Sequence, residues 1–109
     1  MNALLVLLLL FAAPGTQQED PNARFVRAHE LQGKGALDEA ATEYRALLAT
    51  HPEFAQAHAN LGVILARQGK YQEAVAEYKE ALRLAPELTP ILLNLGILHF
   101  RANEFAEAV

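Results

Sequence analysis

The side chains able to do chemistry are few, and their spacing does not suit them to it. The 109-residue chain has no cysteine and no serine. Thiolate nucleophiles, thiolate metal sites, disulfides, the lipid-modified cysteine of bacterial lipoproteins and a Ser/His/Asp hydrolase centre therefore have no starting residue. Thr16, Thr42, Thr50 and Thr89 are the only hydroxyls of that class. The four histidines, His29, His51, His58 and His99, include no i, i+4 pair of the kind that sets two imidazoles on one helix face around zinc. They read as packing or surface residues. Lys34 stands between Gly33 and Gly35, but without the spacing and the preceding strand of a phosphate-binding loop. Glu39, Glu43, Glu73, Glu77 and Glu80 are interspersed with Lys79 and Arg83, the pattern of solvated, outward helix faces. No catalytic residue, no metal site and no cofactor is expected, so the chain is not expected to be an enzyme.

Composition points to helices. Apolar residues make up 52% of the chain and aromatics 7%, with Ala and Leu prominent, which suits closely packed helices better than an aromatic-rich sheet. The formal net charge is −4 with both signs mixed, so there is no basic stripe for nucleic acid. From Ala3 to Ala13 the chain is unbroken apolar, ending at Pro14 and Gly15. That stretch is shorter than the roughly twenty residues a spanning helix needs, so no stable membrane span is expected. It reads as a secretory signal peptide over residues 1–15, with small residues Ala13 and Gly15 placed for cleavage before Thr16, although the amino terminus is the only positive charge before Arg24. Cleavage makes the protein extracytoplasmic, periplasmic or secreted. An uncleaved apolar tail on the first helix leaves it cytoplasmic.

After a linker at residues 16–20, the chain repeats itself at an offset of 34. Leu61-Gly62 recurs as Leu95-Gly96, Pro52 as Pro86, Tyr44 as Tyr78, Leu48 as Leu82, and Asn60 as Asn94. Three-fold recurrences link Ala40, Ala74 and Ala108, then Glu39, Glu73 and Glu107, then Leu37, Tyr71 and Phe105. The middle unit reads as two helices, about Ala55–Gln68 and Tyr71–Leu84, broken at Gly69-Lys70 and stopped by Pro86. His58, Leu61 and Leu65 on the first, and Ala74, Val75, Tyr78, Ala81 and Leu82 on the second, form facing apolar stripes. Gly62 and Ala74 let the helices approach, Tyr78 fills the space beside them, and a larger residue at Gly62 overpacks that crossing.

The run His58-x2-Leu61-Gly62-x2-Leu65, with Ala74-x3-Tyr78 and Pro86, resembles the tetratricopeptide (TPR) repeat pattern, and the resemblance covers Pro21 to Val109. His58 and Leu65 stand where Trp and Tyr are commoner. The implied fold is all-α, a solenoid of helical hairpins wound into a right-handed superhelix. The units run 21–54, 55–88 and a truncated 89–109. The first is divergent, with Arg24 and Arg27 in place of apolar residues, Ala28 in place of the glycine and Leu47 in place of the alanine of Ala81; its arginines are expected to cap the array. In the last, Leu92, Leu95, Leu98 and Phe100 lack the helix that should cover them and are expected to form an exposed apolar patch. Either the array continues or a partner, which could be a second copy, supplies that cover.

The resemblance also implies a concave wall formed by the first helix of each unit. Its residues would be Phe25 and His29, then Asn60, Val63 and Arg67, then Leu93, Asn94, Ile97 and Arg101, a groove for a peptide or partner helix. Asn60 and Asn94 resemble part of the asparagine ladder in the repeat arm of O-GlcNAc transferases, and an amide can hold an extended backbone by donating and accepting. An asparagine before Leu-Gly is equally a common choice of the family. Arg67 and Arg101 share a wall line and either favour an acidic segment or are solvated helix-end charges. Two functions stay open, a protein-binding scaffold and the non-catalytic repeat arm of a larger enzyme such as a glycosyltransferase. The positions with which chaperone-tail adaptors clamp a terminal carboxylate hold Phe25, His29, Asn60, Pro90 and Asn94, of which only Asn60 fits. Acidic chaperone C-terminal peptides are accordingly expected to give no heat of binding in titration calorimetry, and a micromolar dissociation constant would contradict that.

Overall fold

The structure, a computed structural model, describes residues 19–94, with side chains as far as Leu92. Its elements are α1 Pro21–Gly33, α2 Leu37–Thr50, α3 Ala55–Arg67, α4 Tyr71–Leu84, a 3-10 turn Pro86–Leu88 and α5 Thr89–Asn94. There is no strand among the described residues. The leader and the residues from Leu95 onward, Leu98 and Phe100 among them, lie outside the described residues.

Each helix boundary follows from a local cause. Asp20 caps α1 by accepting from the Asn22 amide at 3.0 Å, and Pro21 sits at the first helical position, where its missing N–H costs nothing. The first helix of each pair ends on a glycine with positive φ, 81° at Gly35 and 78° at Gly69. The following amide reaches back five residues in both cases, Ala36 to the Leu31 carbonyl at 3.0 Å and Lys70 to the Leu65 carbonyl at 2.8 Å. That is the Schellman arrangement, which needs a residue at ease in the left-handed region. The second helices end one residue before proline: His51 (φ −133°) precedes Pro52 and Ala85 (φ −141°) precedes Pro86, because proline forces its predecessor out of the helical region. Gln68, expected as the last residue of α3, is its C-cap instead.

The helices form antiparallel neighbours, α1 on α2 and α3 on α4, with α2 packed on α3 between the pairs. One core runs through both, and its largest fully buried side chains are Tyr44, Tyr78, Leu47, Ile64 and Leu65. Each fully buried Leu or Ile contributes about 1.5–3 kcal/mol. The α3–α4 crossing is set by contact between Gly62 and Tyr78. A Cβ on Gly62 would lie 2.5 Å from Tyr78 Cδ1 and 3.1 Å from Cζ, inside any tolerable contact. Tyr78 is 1% exposed and has no open side to turn toward; the same burial pushes its phenol up to about 12.

Two expectations need correction. Glu77, read as outward, turns into the seam of its pair, where its Oε2 lies 2.6 Å from His58 Nδ1; the buried imidazole draws the carboxylate in. Leu92, expected to be uncovered, is 2% exposed and belongs to the core, because α5 follows the 3-10 turn closely enough to lay it on the second pair. The large apolar side chain which that helix leaves exposed is its neighbour Ile91, at 55%.

Arg24 and Arg27, where the second pair has His58 and Leu61, form an ionic cluster across the outer side of the first pair. Arg27 binds Glu19 at 2.9 Å and Glu43 at 3.4 Å, and Arg24 reaches Glu19 at 3.1 Å and Glu43 at 3.7 Å. The Arg24–Glu43 link occupies the same repeat position as His58–Glu77. Arg27, assisted by Arg24, holds the Glu19 carboxyl down to about 2 from an ordinary 4.5.

Two outcomes follow. Gly62→Ala should lower unfolding free energy by about 1–3 kcal/mol in urea denaturation, and an unchanged midpoint would show that Tyr78 can yield. The depressed Glu19 carboxyl stabilises the fold above pH 4.5, and that contribution disappears as pH falls from 4.5 toward 2. The melting-temperature gap between the native chain and Glu19→Gln should therefore be fully present at neutral pH and close across that acid window.

Candidate functional site

On α1, Phe25 and His29 are one turn apart, and on α3 Gln56, Ala59, Asn60 and Val63 recur at three, four and seven residues, so each set shares a helix face. The two faces meet side by side. Leu88 from the 3-10 turn and Ile91 and Leu92 from α5 complete an open cleft of about 340 Å³.

The α1 side is built on aromatic rings. Phe25 stacks on His29, with centroids 6.1 Å apart and planes at 7°, and on Phe54 at 5.1 Å and 18°, while Tyr44 lies tilted at 5.8 Å. Phe54 is the α3 N-cap residue, so this stack ties the start of the second pair to the first helix. Offset or tilted aromatic pairs are worth about 0.5–1.5 kcal/mol beyond their buried area.

Asn60 is held from behind. Its Nδ2 donates to Tyr44 Oη at 3.1 Å, and that hydroxyl donates to Gln32 Oε1 at 2.8 Å. Burial holds the Tyr44 phenol above its ordinary value, and the Asn60 bond pulls it the other way, so the hydroxyl keeps its proton for Gln32. Asn60 therefore braces the preceding pair as well as facing the cleft. A further bond ties α3 to the loop that precedes it: His58 Nε2 lies 2.7 Å from the Pro52 carbonyl, which can only accept, so the ring donates there.

Of the residues the sequence pointed to, Phe25, His29, Asn60 and Val63 come together in the cleft. Arg67 does not line it; it is the exposed last residue of α3. Leu93 and Asn94 are the last described positions of α5, without described side chains, and Ile97 and Arg101 lie outside the described residues. Pro90, a tail-clamp position, is exposed on α5 and outside the cleft lining. Sequence reasoning missed Gln56, Ala59, Leu88, Ile91 and Leu92. Gln56 and Ala59 carry the same helical period as Asn60 and Val63 and could have been found by it. Leu88 and Ile91 could not, because their part in the cleft depends on how the 3-10 turn aims α5.

Among the described residues no Asp, Glu, Lys or Arg lines this cleft. Among the described residues no group of three or more His, Asp or Glu comes together to hold a metal, and no helix is long and apolar enough to cross a membrane. The sequence model of the tetratricopeptide repeat family matches residues 25–88, more than half of the chain, from within α1 to the end of the 3-10 turn. A comparison with curated proteins gives no significant match.

Proposed function

The chain belongs to the tetratricopeptide repeat family, whose repeats generally mediate protein–protein interaction, and from that premise we propose that it is a non-catalytic scaffold that binds a peptide segment of a partner protein in the cleft between α1, α3 and α5. The observation that carries this reading is the cleft itself. It is open, mostly apolar, walled by the first helices of successive pairs and edged by Ile91, a large apolar side chain left 55% exposed. Exposed apolar surface of this kind on a folded protein marks a place where something else packs. The other faces carry ion pairs such as Arg83 with Glu80 and Arg45 with Glu73, groups that are best left in water.

The residues described at the cleft, apolar side chains with the amides of Gln56 and Asn60, suit the packing and hydrogen bonding of a bound segment. Export of the processed chain belongs to the same reading, since the apolar leader ends at residues suited to cleavage.

Photo-cross-linking tests the proposal. With a benzophenone amino acid at Gln56, exposed on the cleft, adducts to a partner protein should form in the native host. The same group at Glu39, exposed on the other side of the first pair, should give none. Equal labelling from both positions would count against the cleft.

A further inference from the structure

We propose that His58 and Glu77 form a proton-held latch on the seam between α3 and α4, closed while the imidazole carries a proton on each ring nitrogen and released when it gives one up. The hydrogen bonds are the first argument. Nε2 lies 2.7 Å from the Pro52 carbonyl, and Nδ1 lies 2.6 Å from Glu77 Oε2. A carbonyl oxygen only accepts, and so does an ionised carboxylate, so both ring nitrogens donate, which an imidazole does only as its cation. A neutral ring bonded to Pro52 would set the Nδ1 lone pair against a carboxylate oxygen at 2.6 Å with no proton between them. Turning the ring over would put carbon atoms against both oxygens and satisfy neither.

The chain's own repetition is the second argument. An offset of 34 carries Arg24 to His58 and Glu43 to Glu77, and Arg24 reaches Glu43 at 3.7 Å. The first pair thus sets a permanent cation against a carboxylate, at the position where the second sets a cation that can be discharged. His58 is buried, at 9% exposure, so its charge needs that partner.

The third argument is what can move. The titratable groups of α4 on this seam are Glu77, Tyr78 and Glu80. Tyr78, its phenol pushed up to about 12, stays neutral. The Glu80 carboxyl is held below its ordinary value by the bond from Arg83 and, in smaller part, by attraction to His58. On the loop before α3, Pro52 stands between the exposed Glu53 and His51, whose ring engages Thr50 Oγ1 at 2.9 Å. Across α3, α2 turns its Arg45 to Glu73 at 3.9 Å. When the ring gives up a proton it keeps one N–H for two acceptors. The Pro52 carbonyl is fixed backbone, whereas the Glu77 side chain is 27% exposed and can turn to water. The Glu77 bond is therefore the one that opens, and the seam loses its tie between α3 and α4.

The proton stabilises the closed seam, so the latch contributes fully on the acid side and its contribution is lost as pH rises through the range, about 5 to 8, in which imidazoles exchange their proton. That is the opposite sense to Glu19, whose contribution is lost as pH falls from 4.5 toward 2. Two measurements on the full chain test the latch. Nitrogen-15 NMR of the imidazole rings at about pH 6 should find both nitrogens of His58 protonated. Melting temperatures should be compared between the native chain and Glu77→Gln from about pH 5.5 to about pH 8.5. At the acid end the variant should melt about 4–8 °C lower, the displacement that one hydrogen bond produces in a domain of this size. At the alkaline end the two should coincide, because an amide in place of the Glu77 carboxylate can donate to Nδ1 of the neutral ring. The other histidines are common to both proteins and cancel in the difference. A gap that is absent or constant across the range, or a bare Nδ1 at about pH 6, would overturn the latch.

Discussion

The fold depends on one close contact, the edge of the Tyr78 ring against the bare backbone of Gly62. At so close a crossing a tyrosine can be fully buried in the α3–α4 pair only because the facing helix offers no side chain there, and the reward is a large apolar body filling the wedge between them. That contact sets how near α3 and α4 come, and through it how Ile64 and Leu65 reach the neighbouring pair. The first pair solves the same problem with Ala28 facing Tyr44, both at 0% exposure, so its crossing accommodates a methyl that the second does not. A helix pair this thin still has one apolar stripe too many, and only a neighbour can cover it. Repetition is thus a consequence of the packing as much as of the sequence.

Much of this was legible beforehand because the signals are local. The offset of 34, the glycines between paired helices and the prolines after them each act within a few residues of their own position, and the structure ends its helices there. The Gly62–Tyr78 contact was legible for a similar reason: a small residue and a large one recur together. What escaped depends on partners brought from elsewhere. Glu77 looked like one more charge on a solvated face, and nothing in its surroundings in sequence says that His58, on another helix, will draw it inward. Leu92 looked uncovered because its expected cover was a later helix of its own unit, whereas it belongs to the core shared with the two pairs before it. Glu19 lay in what reads as a linker, yet it closes the ionic cluster with Arg24 and Arg27.

The candidate site shows the same division. Phe25, His29, Asn60 and Val63 follow from helical periodicity, while the α5 side of the cleft requires knowing the direction in which a short irregular turn sends the chain. Asn60 is instructive because two readings of it were open, a rung that holds a ligand or a common residue at that position. The structure gives it a partner inside the protein, Tyr44, without removing it from the cleft. A side chain can hold the protein together and face outward at once, since an amide has more hydrogen-bonding capacity than either task uses.

The bonds across the joint between the two pairs also have a mechanical meaning. The segment from His51 to Phe54 is short and ends in no regular structure, and by itself it would let the pairs flex like two boards on a strap. Two bonds placed apart from that strap, Asn60 to Tyr44 and Gln68 to Asp38, act as cross-braces, so bending the joint must stretch or break at least one of them. The spacing between the α1 and α3 walls is thereby held by hydrogen bonds, short-ranged and steep, together with the core shared by the two pairs, and not by a soft loop. Under load along the solenoid such a joint behaves as a stiff spring with a sharp yield point: it resists small displacements, then gives way abruptly once a brace lets go.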